Sequence, residues 1–186
     1  TDTIRHVEAV RGTNFDDVFD ATGFSDTSVN AGSLGTFNEF GGAGGDDTII
    51  GNGNTRLNYA SSAAGVSVDL ETSAPGTTNA VTVAGSATGA TEGTDTFTGV
   101  NAAQGSMFND TLLGSSFNNT LIGLGGDDFI DGRGGFDIAG YNALNSVTGG
   151  VTVNMAAGTA IGDASIGTDT LRNIEGVQGN MLADFY

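Results

Sequence analysis

The chain has 186 residues, of which 32 are glycine and one is proline, and it contains no cysteine. Its 22 acidic residues against 5 basic ones give a formal net charge of −17 at pH 7. This charge disfavours nucleic acid and anionic membrane surfaces as partners, and the lack of cysteine excludes disulfides and thiolate metal sites. No apolar run is long enough for a membrane-spanning helix. A small domain without disulfides needs another source of stability, and bound metal ions can provide it.

Three nineteen-residue stretches divide the chain into repeated units. Each begins with Thr-Asp-Thr, and they align without gaps at 1–19, 94–112 and 168–186. We therefore predict a first long unit at 1–93, a second at 94–167 and the start of a third at 168–186. The alignment pairs two aspartates fifteen residues apart in each unit, namely Asp2 and Asp17, Asp95 and Asp110, and Asp169 and Asp184. A fixed period of this kind indicates one continuous solenoid, which we interpret as part of a larger protein.

The first unit is less regular than the second. Its segment GAGGDDTII, at 42–50, repeats the later GLGGDDFID, so Asp47 corresponds to Asp128. In the same alignment Arg56 stands where the second unit has Asp137. We predict degenerate nine-residue repeats in this unit, with 42–50 the best of them.

A tyrosine and an alternating segment follow the turns in both long units. Tyr59 precedes GVSVDL at 65–70, and Tyr141 precedes GVTVNM at 150–155. Alternation of apolar and polar residues is typical of strands with one buried face. We expect both segments to continue the solenoid.

The second unit contains four consecutive nine-residue lines between Gly105 and Gly140: GSMFNDTLL, GSSFNNTLI, GLGGDDFID and GRGGFDIAG. Glycine opens every line. The sixth place holds Asp110, Asn119, Asp128 and Asp137, and the eighth holds Leu112, Leu121, Ile130 and Ala139. Each line predicts a glycine-rich turn and a very short strand with one apolar side chain inside. Two lines then complete one turn of a flattened right-handed coil of roughly eighteen residues.

Stacking of such coils brings the sixth-place side chains together. Asp110 lies over Asp128, and Asn119 lies over Asp137, at the strand spacing of about 4.8 Å. Two facing carboxylates repel by about 1 kcal/mol in water and by several at lower dielectric. A hard cation held by carboxylate and glycine carbonyl oxygens offsets this repulsion, and calcium tolerates looser geometry than magnesium does. The pattern therefore predicts calcium.

These lines resemble the nonapeptide G-G-x-G-x-D-x-U-x of the RTX, or hemolysin-type, calcium-binding repeats. The third line matches best, with Leu124 in place of one glycine. The resemblance implies an all-β fold, a right-handed parallel β-roll or β-solenoid that binds several calcium ions at glycine-rich turns, with Asp110 and Asp128 as the leading pair of ligands. The candidate ligands are Asp17, Gly42, Gly44, Asp47, Asp95, Asp110, Asn119, Gly123, Gly125, Asp128, Gly132, Gly134, Asp137 and Asp169.

The resemblance also implies a setting for the chain. Members of this family leave Gram-negative bacteria by type I secretion, so we expect an extracellular or cell-surface location. Calcium is scarce in cytosol, and extracellular modules bind it at about 10⁻⁴–10⁻³ M, so folding would follow export. The expected partners are calcium, neighbouring repeats of the same parent chain and, through open coil ends, a second copy of the chain.

Three functions remain open from the sequence. The first is a structural calcium-dependent module of an adhesin, surface-layer protein or spacer. The alternative is a carbohydrate-binding or folding-assist accessory module of an extracellular polysaccharide-modifying enzyme, lipase or protease. The third is an ice-binding face, which needs regular outward threonines, whereas Phe129 interrupts the ladder that Thr111 and Thr120 begin.

Catalysis is not expected. His6 is the only histidine, and the chain has no cysteine or lysine, so the sequence offers little from which to assemble an activated nucleophile. The paired acids at 46–47 and 127–128 are already explained by the repeat. Three phenylalanines recur at the fourth place of a line, and we predict that they pack in the core or at the ends of the roll rather than form an exposed binding stripe: Phe15, Phe108 and Phe117.

Overall fold

The computed structural model describes residues 7–25, 28, 36–71, 84–142 and 149–179. Within these ranges it contains seventeen β-strands and no helix, hence no helix that could cross a membrane. Three residues singled out in the sequence lie outside the described ranges: Asp2, His6 and Asp184.

The strands are short, mostly three to five residues. In chain order they are β1 (Ala9–Arg11), β2 (Val18–Asp20), β3 (Asn38–Gly41), β4 (Thr48–Ile50), β5 (Thr55–Asn58), β6 (Val66–Asp69), β7 (Ala84–Gly89), β8 (Gly93–Thr98), β9 (Ala102–Gln104), β10 (Thr111–Leu113), β11 (Thr120–Ile122), β12 (Phe129–Asp131), β13 (Ile138–Gly140), β14 (Thr152–Asn154), β15 (Thr159–Ile161), β16 (Thr168–Arg172) and β17 (Gly176–Gln178).

These strands form two sheets. Sheet A has seven strands in the order β1-β3-β5-β9-β11-β13-β17, and all its pairs are parallel. Sheet B has ten strands in the order β14-β15-β16-β12-β10-β6-β7-β8-β4-β2. From β1 to β5 and again from β9 to β13 the chain alternates between the sheets, as a flattened coil requires. The predicted all-β parallel β-roll is confirmed.

The core lies between the two sheets. Leu112, Leu121, Ile130 and Ala139, the four eighth-place residues, are completely buried. Neighbouring residues of each strand point outward, so strands such as Thr111–Leu113 bury only their middle side chain. The predicted inward position of the nine-residue line is therefore confirmed.

Two antiparallel meanders interrupt the coil, one at the end of each long unit, and the last strand of each belongs to the next unit. β6 runs antiparallel to β7, and β7 to β8, before β8 pairs in parallel with β4. β14, β15 and β16 repeat this arrangement, and β16 pairs in parallel with β12. The alternating segments that follow the tyrosines thus do form strands, but they open a meander rather than simply adding a coil.

Two sequence expectations are wrong in detail. The strand pairing places Thr55, not Arg56, at the level of Asp137, because the turn before β5 is one residue shorter than its counterpart. The core position predicted for the fourth-place phenylalanines is wrong, since Phe15 and Phe108 are exposed and Phe117 is half-buried. Each ring belongs to a turn that precedes a strand and not to the strand itself.

Candidate metal sites

Sixth-place side chains and one further acid in each case stack in three ladders along the edges of the roll. Ladder 1 consists of Asp17, Asp47 and Asp95. Ladder 2 consists of Asp110, Asp128 and Asp169. Ladder 3 consists of Asn119, Asp137 and Glu175.

Each ladder is held by the same backbone hydrogen bond. The N–H of Asp110 donates to Oδ1 of Asp128 at 2.8 Å, and the N–H of Asp128 donates to Oδ1 of Asp169 at 3.0 Å. Ladder 1 has the same two bonds, at 2.8 and 3.0 Å. In ladder 3 the N–H of Asn119 donates to Asp137 at 2.7 Å, and that of Asp137 donates to Glu175 at 2.9 Å. The structure thus brings together the sixth-place residues that the period pairs.

The first member of each ladder belongs to what we call a hydroxyl turn, at 12–17, 105–110 and 114–119. Ser106 shows the design: its N–H and its hydroxyl donate to the two oxygens of Asp110 at 2.6 and 2.8 Å. The same hydroxyl accepts the N–H of Phe108 at 3.0 Å. Thr13 and Ser115 make the corresponding bonds in the other two turns. A neutral side chain therefore satisfies this rung.

The second member belongs to a glycine turn, at 42–47, 123–128 and 132–137. The second and fourth places adopt left-handed backbone, with φ of 75° at Leu124 and 109° at Gly126. The first place is equally restricted, because a Cβ on Gly123 would overlap Oδ2 of Asp128. Gly42 and Gly132 stand in the same relation to Asp47 and Asp137. Each glycine turn thus folds tightly around the carboxylate at its sixth place.

Three carboxylate oxygens in these turns have no protein partner. Oδ2 of Asp47, of Asp128 and of Asp137 is buried and accepts no hydrogen bond, and the three residues are at most 3% exposed. A buried oxygen that carries charge is costly unless it is paired or coordinates a metal. The unpaired atoms occur at the sixth place of every glycine turn, which points to a ligand that the protein does not supply.

Burial also shifts the proton affinity of these groups. Loss of solvent raises the pKa of Asp128 to about 8, and repulsion from Asp169 adds to the increase. Desolvation likewise raises the pKa of Asp137 to about 6 and raises that of Asp47. A cation at the turn would favour the charged form and offset this cost.

The third member of ladders 1 and 2 is held by a tyrosine. The hydroxyl of Tyr59 donates to Oδ2 of Asp95 at 2.7 Å, and that of Tyr141 donates to Oδ2 of Asp169 at 2.8 Å. Both rings are buried at the end of a sheet A strand. Ladder 2 therefore runs from a serine-bound carboxylate through an unpaired one to a tyrosine-bound one.

The donor set fits calcium better than a softer metal. Carboxylates and the backbone carbonyls of glycine-rich turns are hard oxygen ligands. Within the described residues no three side chains of His, Cys, Asp or Glu converge on one point, so backbone oxygens would have to complete any coordination shell. Carbonyls of the first and third turn places are suited to this, namely those of Gly42, Gly44, Gly123, Gly125, Gly132 and Gly134.

Comparison with known families agrees with this geometry. Residues 104–139 match the family model of the RTX calcium-binding nonapeptide repeat, in four copies. These residues are RTX repeats. RTX nonapeptides bind calcium, so this part of the chain is a calcium-binding repeat module, and such repeats are typical of secreted bacterial proteins. No curated protein sequence matches the chain significantly.

The RTX pattern alone does not identify every residue of the ladders. The hydroxyl donors Thr13, Ser106 and Ser115 were missed, although Ser or Thr stands at the second place of every line that has Phe at the fourth. The sequence alignment paired Tyr59 with Tyr141 but assigned no function to either residue. Glu175 was missed because it belongs to no nonapeptide and joins ladder 3 only through strand pairing.

Proposed function

We propose that the chain is a structural module of a secreted or cell-surface protein, in which calcium at the three glycine turns completes folding after export. The observation that carries the proposal is the set of three buried, unpaired Oδ2 atoms of Asp47, Asp128 and Asp137. Each belongs to a turn in which the absence of a Cβ at the first-place glycine leaves room for the carboxylate. Two of the three turns lie within the RTX match and one lies outside it.

Calcium would stabilise this fold by mass action, because it binds the folded turns and not the separated carboxylates of the unfolded chain. The net charge of −17 acts in the same direction. Self-repulsion destabilises a compact acidic chain, and bound divalent cations reduce it. A module of this kind remains extended in calcium-poor cytosol and compacts outside the cell.

Circular dichroism and light scattering test the proposal on the full chain. Chelator should abolish the β-type spectrum and expand the chain, millimolar calcium should restore both, and magnesium should not. An unchanged spectrum and hydrodynamic radius in chelator would contradict the proposal.

The accessory role, which is the alternative predicted from the sequence, requires binding to a carbohydrate. A carbohydrate-binding module should show saturable micromolar affinity on a glycan array in calcium, whereas a purely structural module should bind no tighter than millimolar. Micromolar glycan binding would replace the structural role and leave the calcium sites in place.

A further inference from the structure

The two ladders of sheet B are close copies that differ beside the glycine turn. Thr13 corresponds to Ser106, and Tyr59 corresponds to Tyr141, so both ladders have the same neutral donors at their ends. Both turns leave the middle Oδ2 unpaired. Any difference in cation binding between the two sites must therefore come from residues around this shared frame.

Glu92 in the first unit stands where the second unit has Ile166. Each precedes a glycine with left-handed backbone, Gly93 with φ 80° and Gly167 with φ 89°. Each of these glycines lies against the fourth-place glycine of its turn, where a Cβ would overlap a carbonyl oxygen. Both preceding side chains are buried, Glu92 at 5% exposure and Ile166 at 0%. One site thus has a buried acid where its copy has a buried hydrocarbon.

The stem of Glu92 and its carboxylate have different surroundings. The stem packs under the meander, since a Cβ on Gly89 would lie 3.2 Å from its Cγ. Oε1 accepts the hydroxyl of Thr91 at 2.8 Å. Glu92 also lines an open cleft of about 350 Å³ together with Gly44 and Gly45 of the glycine turn. Its carboxylate is therefore placed beside the turn, and among the described residues it makes no ion pair, although Arg11 lines the same cleft.

The charge around the turn therefore differs between the two units. Glu92 places a carboxylate beside the turn 42–47, whereas Ile166 at the corresponding position is uncharged. The fifth place of the adjoining hydroxyl turn adds to the contrast, because Asp16 corresponds to Asn109. Arg11 stands in the first unit where the second unit has Gln104. Its positive charge offsets part of the extra negative charge at the first site, but its side chain is exposed.

We propose that the turn 42–47 and Glu92 together form the tightest calcium site of the chain, and that Glu92 sets its affinity above that of the site at 123–128. The inference rests on the proposed calcium function. Calcium affinity in proteins rises with the number of charged ligands and nearby charges. The first site is also the one outside the RTX match, so the nonapeptide pattern does not identify it as the stronger.

Calorimetric titration of the metal-free chain with calcium tests this proposal. The wild type should show one tight binding step and weaker later ones. Glu92→Gln keeps the size of the side chain and an acceptor for Thr91, and it should weaken the tight step by about tenfold. Asp128→Asn should remove a weak step and leave the tight one. Glu8→Gln, which removes the same charge on the sheet A edge, is the matched control and should change neither step.

The outcomes separate this inference from the function on which it rests. Equal steps in the wild type, or an unchanged tight step in Glu92→Gln, would overturn the role of Glu92 while calcium binding itself stands. The reciprocal variant Ile166→Glu should tighten a weak step, and it tests the same idea if Glu92→Gln folds poorly. Absence of any calcium binding in the wild type would overturn both proposals.

Discussion

The hydroxyl turn 105–110 and the glycine turn 123–128 stack directly on each other. Each has an aspartate at its sixth place, but the two turns hold this carboxylate in different ways. In the first, Ser106 supplies an N–H and a hydroxyl to Asp110. In the second, Oδ2 of Asp128 has no donor, and the backbone takes two left-handed residues to enclose it. A hydroxyl turn has donors for its carboxylate or amide within the protein, whereas a glycine turn leaves one carboxylate oxygen for the proposed cation. Each glycine turn thus stacks on a hydroxyl turn that needs no metal.

The largest expected effect comes from filling a glycine turn. In Gly132→Ala the new Cβ would lie 2.5 Å from Oδ2 of Asp137, so the turn cannot close around its carboxylate. We expect a loss of about 3–5 kcal/mol in unfolding free energy in calcium, and loss of one bound ion. The control is Gly134→Ala in the same turn, whose Cβ has nothing nearer than Cα of Ser116 at 3.7 Å. Denaturant melts with a calcium count would contradict the account if both variants behaved alike.

Replacing the carboxylates separates the two turns by the sign of the effect. Asp128→Asn should lower stability in calcium by about 2–3 kcal/mol, because the cation loses a ligand. In chelator it should instead raise the folded fraction, because it removes an unpaired buried charge. Asp110→Asn should destabilise in both conditions, since Asp110 accepts donors from Ser106 and Val66. Circular dichroism with and without calcium checks this, and a same-sign effect for Asp128→Asn would refute it.

The pH dependence of the metal-free chain follows from the glycine turns. The folded-state pKa of about 8 for Asp128 and about 6 for Asp137 lies above the unfolded value of about 3.9. The folded state therefore binds more protons than the unfolded state between pH 4 and those values, and stability falls as pH rises through this window. Metal-free protein should retain more β-type dichroism at about pH 5 than at about pH 8. The opposite trend would show that these carboxylates are not buried without a partner.

The smallest effect is expected at the hydroxyl turns. Ser106→Ala removes one donor to Asp110 and the acceptor for the N–H of Phe108. The loss should be about 1–2 kcal/mol and the number of bound ions should not change. If Ser106→Ala changed the ion count, the hydroxyl would have to be a calcium ligand.

The sequence allowed the coil and its core to be predicted because they repeat at a fixed period. Leu112 and Ile130 are apolar residues at one place in every line, and the stacking of Asp110 on Asp128 follows from the same spacing. The meander strand β7 was not predicted, because its sequence AGSATG contains no large apolar residue, and Ala87 is the buried residue among its described side chains. The short turn before β5 was aligned one residue out of register with 132–137 for a similar reason. Its sequence GNGNT has neither the two adjacent acids nor the phenylalanine by which the other turns are recognised.

The unequal sizes of the sheets determine how such modules would follow one another. Each meander adds two strands to sheet B and none to sheet A, so four of the ten strands of sheet B have no counterpart among the seven strands of sheet A. At a spacing of about 4.8 Å, two strands add about 10 Å of contour to one face, comparable to the distance between packed sheets. A stack with one face longer than the other bends toward the shorter face. Successive units of this type are therefore expected to curve toward sheet A.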